Sequence, residues 1–190
     1  MEAAMTERTL LFLIATSVLA ALLLAIIFYY RKRAQQTTSS SWDELLSRLN
    51  SVDRISIELI ALDAIDEFGQ PRKDDDARRL DGKDIWRLVG GLDGLELLEQ
   101  NSVVLIDIAA YVQRWYPEAL DTAAELRLNA GTIQWHVNRL RLAEESGNLE
   151  GWFANYAQNT IATYYVMTRR VLALYDSKSL PMLTDLQRAL

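Results

Sequence analysis

His136 is the one histidine in a chain of 190 residues without cysteine, and this sets the chemistry open to the protein. A single histidine cannot build a paired-His metal site or the two Glu-x-x-His motifs of a ferritin-like di-iron bundle. Position 133, where the first such Glu would stand, is Ile133. The missing cysteines remove thiolate catalysis, Cys-ligated zinc and disulfides. "GGLDG" at 90–94 lacks the Lys-Ser/Thr of a phosphate-binding loop and reads as a break between helices. Asp74, Asp75 and Asp76 could attract a cation, but in an EF-hand register Arg79 takes the glycine position and Ile85 that of the closing Glu. The run reads as a solvated loop, balanced by Arg72, Lys73, Arg78 and Arg79.

Asp107 interrupts an oily stretch and resembles a buried acid–base carboxylate. Glu96, Gln100, Asp107 and Arg114 follow one another at steps of four, seven and seven, so a narrow polar stripe on one helix face is the better reading. "AGTIQWHVNRLR" at 130–141 has the flavour of a helix-turn-helix recognition segment, with Arg127, Arg139 and Arg141 as its cations. The helical phase runs through Gly131 without resetting, and Glu125, Glu144 and Glu145 offset those cations. No catalytic residue, cofactor-binding residue or metal ligand is therefore assigned. No small-molecule substrate follows from the sequence, and the chain is not expected to be an enzyme.

Among the elements that carry these residues, the first is apolar. Residues 10–30 contain no charge, Pro or Gly. A bilayer core of roughly 30 Å takes about 20 apolar residues as helix, so the run is expected to be a single-pass transmembrane anchor. Thr16 and Ser17 are tolerated there because a helical hydroxyl bonds a carbonyl one turn back. Tyr29 and Tyr30 would lie at headgroup level. Arg31, Lys32 and Arg33 would hold their end in the cytoplasm. The domain expectation is a short extracytoplasmic tail over 1–9, the anchor over 10–30, a basic collar and polar linker over 31–41, and a cytoplasmic helical domain over 42–190. That places the protein in the inner or plasma membrane, with the lipid bilayer as a partner. Residues 1–33 carry four Lys/Arg against two Asp/Glu, and the rest sixteen against twenty-four. An acidic body of this kind is ill suited to nucleic-acid phosphates.

The body reads as all-α, an irregular antiparallel bundle. Ser41 and Glu44 form a capping-box pattern. Trp42, Leu45, Leu49, Val52, Ile55, Leu59, Leu62 and Ile65 then recur at helical steps, predicting one helix to about residue 68, with Ile57, Ile60, Ala64 and Phe68 as a second apolar row. The charged stretch 69–84 is a loop. A short helix begins near Asp84, and a long oily one runs from Leu92 to Tyr116. Residues 118–145 and 150–176 are predicted as an antiparallel hairpin about "ESGN". Gly131 is expected to permit close approach of the second helix near Ile161, Ala162 and Thr163. On that last helix Trp152, Tyr165 and Leu172 lie off the main apolar face and are the candidate partner surface. The functional expectation is a membrane-anchored protein whose helical domain binds another protein, as an adaptor, assembly factor or regulatory subunit. The competing reading is a membrane-tethered DNA-binding regulator built on 118–141.

Overall fold

The apolar pattern that begins at Trp42 does not form one helix. The computed structural model describes residues 41–190 apart from 67, 68, 71 and 73–79, and, before them, Phe12, Ile14, Thr16, Ser17, Val18, Leu24 and Ser40. Helix α1 spans Trp42–Ser47 and α2 spans Arg54–Ala64. The Ser41 capping box forms as expected: the Ser41 hydroxyl accepts from the Glu44 N–H at 3.2 Å, and the Glu44 carboxylate accepts from the Ser41 N–H at 3.4 Å. The break between the two helices has two causes. Asp53 is a second N-cap, accepting from the Ile55 N–H at 3.1 Å, the Ser56 N–H at 3.4 Å and the Ser56 hydroxyl at 2.6 Å. Asn101 then holds the backbone of Asn50. Its carbonyl accepts from the Asn50 N–H at 2.8 Å, and its amide donates to the Asn50 carbonyl at 2.9 Å. A helix continuing through residue 50 would need those same two backbone groups.

Helix α3 spans Gly82–Val89, capped by Asp81, and α4 spans Gly91–Val112. The chain turns between them at Gly90 and Gly91, with φ of 82° and 71°, values that suit glycine. Helix α4 ends earlier than Tyr116 because the Trp115 and Tyr116 N–H groups both turn back to the Val112 carbonyl. Helix α5 spans Ala119–Glu145, α6 Leu149–Ser177 and α7 Leu183–Ala189. The predicted hairpin of α5 and α6 is present. Its turn uses Gly147 at φ 73° and a 2.8 Å bond from the Asn148 N–H to the Ala143 carbonyl. Among the described residues the chain is all-helical, with no strand.

The chain divides into two compact units, Met1–Ser40 and Ser41–Leu190. In the first, Phe12, Ile14, Thr16, Ser17, Val18 and Leu24 are exposed, and the Thr16 hydroxyl donates to the Phe12 carbonyl at 2.8 Å. The second has its own core. Leu95, Leu98, Leu105 and Ile108 of α4 meet Leu126, Ile133, Val137 and Leu140 of α5 and Ile161, Tyr164, Met167 and Val171 of α6, all buried. Leu45 of α1, Ile57 and Ile60 of α2 and Ile85 of α3 join that core. Helical spacing puts Leu120, Ala123, Leu126, Ala130, Ile133, Val137 and Leu140 on one face of α5, and all of them but Leu120 are buried.

Two expectations are corrected. The single-pass reading of residues 10–30 is overturned: among the described residues no helix is long and apolar enough to cross a membrane. The long helices α4, α5 and α6 are amphipathic and charged; α4 alone carries Asp93, Glu96, Glu99 and Asp107. The membrane, signal-anchor and cytoplasmic-side assignments fall with that reading. Most of 10–30, with Tyr29, Tyr30, Arg31, Lys32 and Arg33, lies outside the described residues. Gly131 is the second correction. Nothing lies within 4 Å of where its Cβ would be, so it makes no close approach to α6. The tight glycine is Gly94, whose Cβ would fall 1.7 Å from the Val89 carbonyl oxygen.

Gly131→Ala should therefore stabilise the fold by up to about 1 kcal/mol in urea melts, from helix propensity alone. Gly94→Ala should cost about 1–3 kcal/mol through overpacking. The Asn50–Asn101 clamp makes an asymmetric prediction, because its two shortest bonds use the backbone of Asn50. Asn101→Ala should destabilise by roughly 2–3 kcal/mol, leaving a part-buried N–H and C=O without partners. Asn50→Ala keeps those groups paired and should cost less than about 1 kcal/mol. Equal losses in the two variants would remove the clamp's backbone role.

Candidate functional site

The polar residues singled out for chemistry are engaged in holding elements together. The Asp107 carboxylate accepts from the Arg48 guanidinium at 2.8 Å, tying the end of α1 to α4. Glu96 and Glu99 clasp Arg141 of α5 at 2.8 and 3.1 Å. The Glu96 hydrogen bond, with the charges of both carboxylates, raises the Arg141 pKa further. Gln100 accepts from the Asn50 side chain at 3.2 Å. The stripe on α4 is thus a seam to α1, to the 48–53 loop and to α5. Among the described residues no three His, Asp or Glu side chains converge as metal ligands. Asp74, Asp75 and Asp76 lie outside the described residues.

Helix α5 runs unbroken through Gly131, so the turn of a helix-turn-helix is not present at 130–141. Two of its three cations are engaged within the domain: Arg141 in the carboxylate clasp, and Arg139 over the Trp135 ring at 5.2 Å. His136 is half-buried, 5.2 Å from Trp135 and 5.4 Å from Tyr156 between ring centroids. Its buried Nδ1 has no hydrogen-bond partner.

The predicted partner surface divides in two. Tyr165 and Leu172 come together in a groove between α2 and α6, whereas Trp152 lies at the other end of α6, stacked on Tyr156 at 5.7 Å. The groove has a volume of about 430 Å³. Val52, Ile57, Leu172 and Leu190 supply its apolar lining. Arg54, Glu58, Thr168 and Arg169 supply the polar part, and Tyr164 and Tyr165 complete it. The Tyr165 hydroxyl meets Glu58 at 3.4 Å, and Arg169 lies over the Tyr165 ring at 5.8 Å. Arg54 donates to the Gln187 carbonyl at 3.1 Å, joining α2 to α7 at this groove. On the same helix Ile55 is 79% exposed and Leu59 52% exposed. They belong to the first of the two apolar rows that periodicity predicts. In the structure Ile57 and Ile60 of the second row, with Ala61, face the core. The signal that could have separated the rows is Asn50-x-x-Asp53-x-x-Ser56, which restarts the helix and its phase.

A second, more apolar hollow of about 580 Å³ lies where α3 and α6 begin, lined by Gly82, Trp86, Leu149, Phe153 and Ala154. Asp81 also lines it, and the chain just before Leu80, at 73–79, lies outside the described residues. The α2–α6 groove is bounded by described elements and is the candidate site.

The one histidine gives a clean test of acid sensitivity. Burial lowers the His136 pKa below its ordinary 6.5. The unfolded chain therefore binds this proton at higher pH than the fold does. His136's contribution is fully present above about pH 6.5 and is lost as pH falls through the window below it. His136→Gln should flatten the loss of urea stability between roughly pH 6.5 and 5. An unchanged slope would assign that loss to carboxylates.

Comparison with known proteins adds no relative: no family model, curated protein or solved structure matches this chain.

Proposed function

We propose that residues 41–190 form a protein-interaction domain whose α2–α6 groove receives an amphipathic helix from a partner protein. The protein acts by binding, as an adaptor, assembly factor or regulatory subunit, and not by catalysis. The observation that carries this reading is the position of Ile55 and Leu59. They are exposed on α2, the helix that forms one wall of a groove partly lined by Val52, Ile57, Leu172 and Leu190. Exposed apolar side chains beside a concave surface are the usual footprint of a docking site. Apolar positions along the wall of a helix-lined groove suit the i, i+3, i+4 anchors of a helical ligand. Arg54, Glu58 and Arg169 supply charges of both signs among the lining residues, which sets the orientation of a bound segment more than its affinity. The engagement of Asp107, Glu96 and Arg141 in structural ion pairs supports a binding role over a catalytic one.

The test uses the full chain carrying an affinity tag, purified from the cells that make it, with co-purifying proteins quantified by mass spectrometry. Ile55→Glu combined with Leu59→Glu should leave the thermal melt unchanged, because both side chains already face solvent. It should deplete at least one co-purifying protein by tenfold or more, on the order of the 1.4 kcal/mol that one buried apolar anchor supplies. Leu120→Glu, at an exposed position away from the groove, should leave that protein bound. Identical co-purifying sets for all three chains would overturn the proposal.

A further inference from the structure

The outer face of α5 carries a second apolar feature, one the groove does not use. Leu128, Trp135 and Leu142 are 75%, 49% and 58% exposed. They recur every seven residues, a step that drifts only about 20° around a helix. They therefore form one line, on the side of α5 opposite the buried Ile133, Val137 and Leu140. None of the three is buried in the core, though one edge of Trp135 packs on Tyr156 at 5.5 Å. Gly131 lies between Leu128 and Trp135 and presents bare backbone to open space.

We propose that two copies of this chain associate through this face, with their α5 helices antiparallel about a two-fold axis at Gly131 and Thr132. Three features of α5 select a second copy as the occupant. The first is position: residue 132 is the midpoint of Ala119–Glu145, so antiparallel pairing about it superposes the whole length of both helices. The second is shape. In that register Leu128 meets Trp135 of the second copy, twice by symmetry, and the missing Cβ of Gly131 lets the backbones approach where they cross. The third is charge. A two-fold axis normal to an antiparallel pair sets each flank against its own equivalent. Arg139 is then level with Ala124 of the second copy, between Asp121 and Glu125 on the same flank. Glu125 is already paired with Arg170, but Asp121 has no partner among the described residues. Its carboxylate falls beside a shallow hollow lined by Arg139, Leu142, Ser146, Asn148 and Trp152. At the helix ends Glu145 is level with Glu118 of the second copy. Lys178, 3.6 Å from Glu118, offsets that approach. A parallel pair would instead stack Arg139 on Arg139 and Asp121 on Asp121.

The absence of cysteine makes the orientation testable on the full chain by cross-linking. Ala124→Cys and Asn138→Cys change exposed side chains. Each new thiol would lie roughly 20 Å from its own copy, at 1.5 Å per residue from the axis. Each would also be level with the other. Differently tagged copies are co-expressed and treated with a maleimide cross-linker too short to bridge 20 Å. Copies carrying the two different substitutions should give a cross-linked dimer, and copies carrying the same one should not. Adding Leu128→Glu, or separately Trp135→Glu, should abolish the mixed product while helix content stays unchanged. Three results would each overturn the proposal: no product from the mixed pair, product from like copies, or a mixed product indifferent to both glutamates. None depends on the α2–α6 groove, so this proposal and the groove reading fail separately.

Discussion

The buried amide of Asn101 is the constraint on which the arrangement of this domain depends. It sits in the middle of the oily helix α4, and its two shortest hydrogen bonds go to another element's backbone. The Asn50 N–H and C=O are held at 2.8 and 2.9 Å, and the Tyr164 hydroxyl lies at 3.3 Å. One side chain thus ties the loop after α1, the centre of α4 and the centre of α6. Burial pushes the Tyr164 phenol up to about 12, with the Asn101 bond acting in the opposite direction. A satisfied buried polar cluster of this kind specifies one packing among the several that an apolar core would tolerate.

Everything on the α1–α2 side follows from that clamp. With the chain stopped at Asn50, α1 is free to lie along the far end of α4. There Trp42 packs on Tyr111 and Tyr175, at 5.7 and 5.5 Å, and Arg48 reaches Asp107. The Tyr175 hydroxyl donates to the Ile108 carbonyl at 2.9 Å, closing the same region. Helix α2 restarts at the Asp53 cap with a new rotational phase. It lays Ile57, Ile60 and Ala61 against the core and turns Ile55 and Leu59 outward. The exposed pair beside the groove is thus a consequence of where the helix was broken.

This also locates what could be read from the chain alone. The α5–α6 hairpin was legible because each helix has an unbroken apolar face and a glycine turn between them, and local spacing suffices for both. The Ser41 cap was legible because its partner is three residues away. The break at residue 50 was legible only in part: the Asp53 cap is local, but its other cause is fifty-one residues distant, and nothing near Asn50 announces that Asn101 will hold its backbone. Gly131 misled for a related reason. A glycine inside a helix signals either close packing or an unoccupied surface, and only the position of α6 separates the two. Of the three residues expected to leave the main face of the last helix, Tyr165 and Leu172 line one groove and Trp152 lies elsewhere. Helical phase says that a residue leaves the main face, but not which neighbour it then meets.

The two surfaces left apolar differ in what made them so. Ile55 and Leu59 are exposed because the fold rotated a helix whose pattern could have served the core in either phase. Leu128, Trp135 and Leu142 lie off the core face of α5. Their line is offset by half a turn from positions 126, 133, 137 and 140, which face the core with Ala123 and Ala130. A helix with one face committed to its own domain and a second apolar line at heptad spacing carries more hydrophobic pattern than a monomer can bury. Of that surplus, Leu128 and Trp135 flank the centre of α5, which is the basis of the pairing proposed for this face.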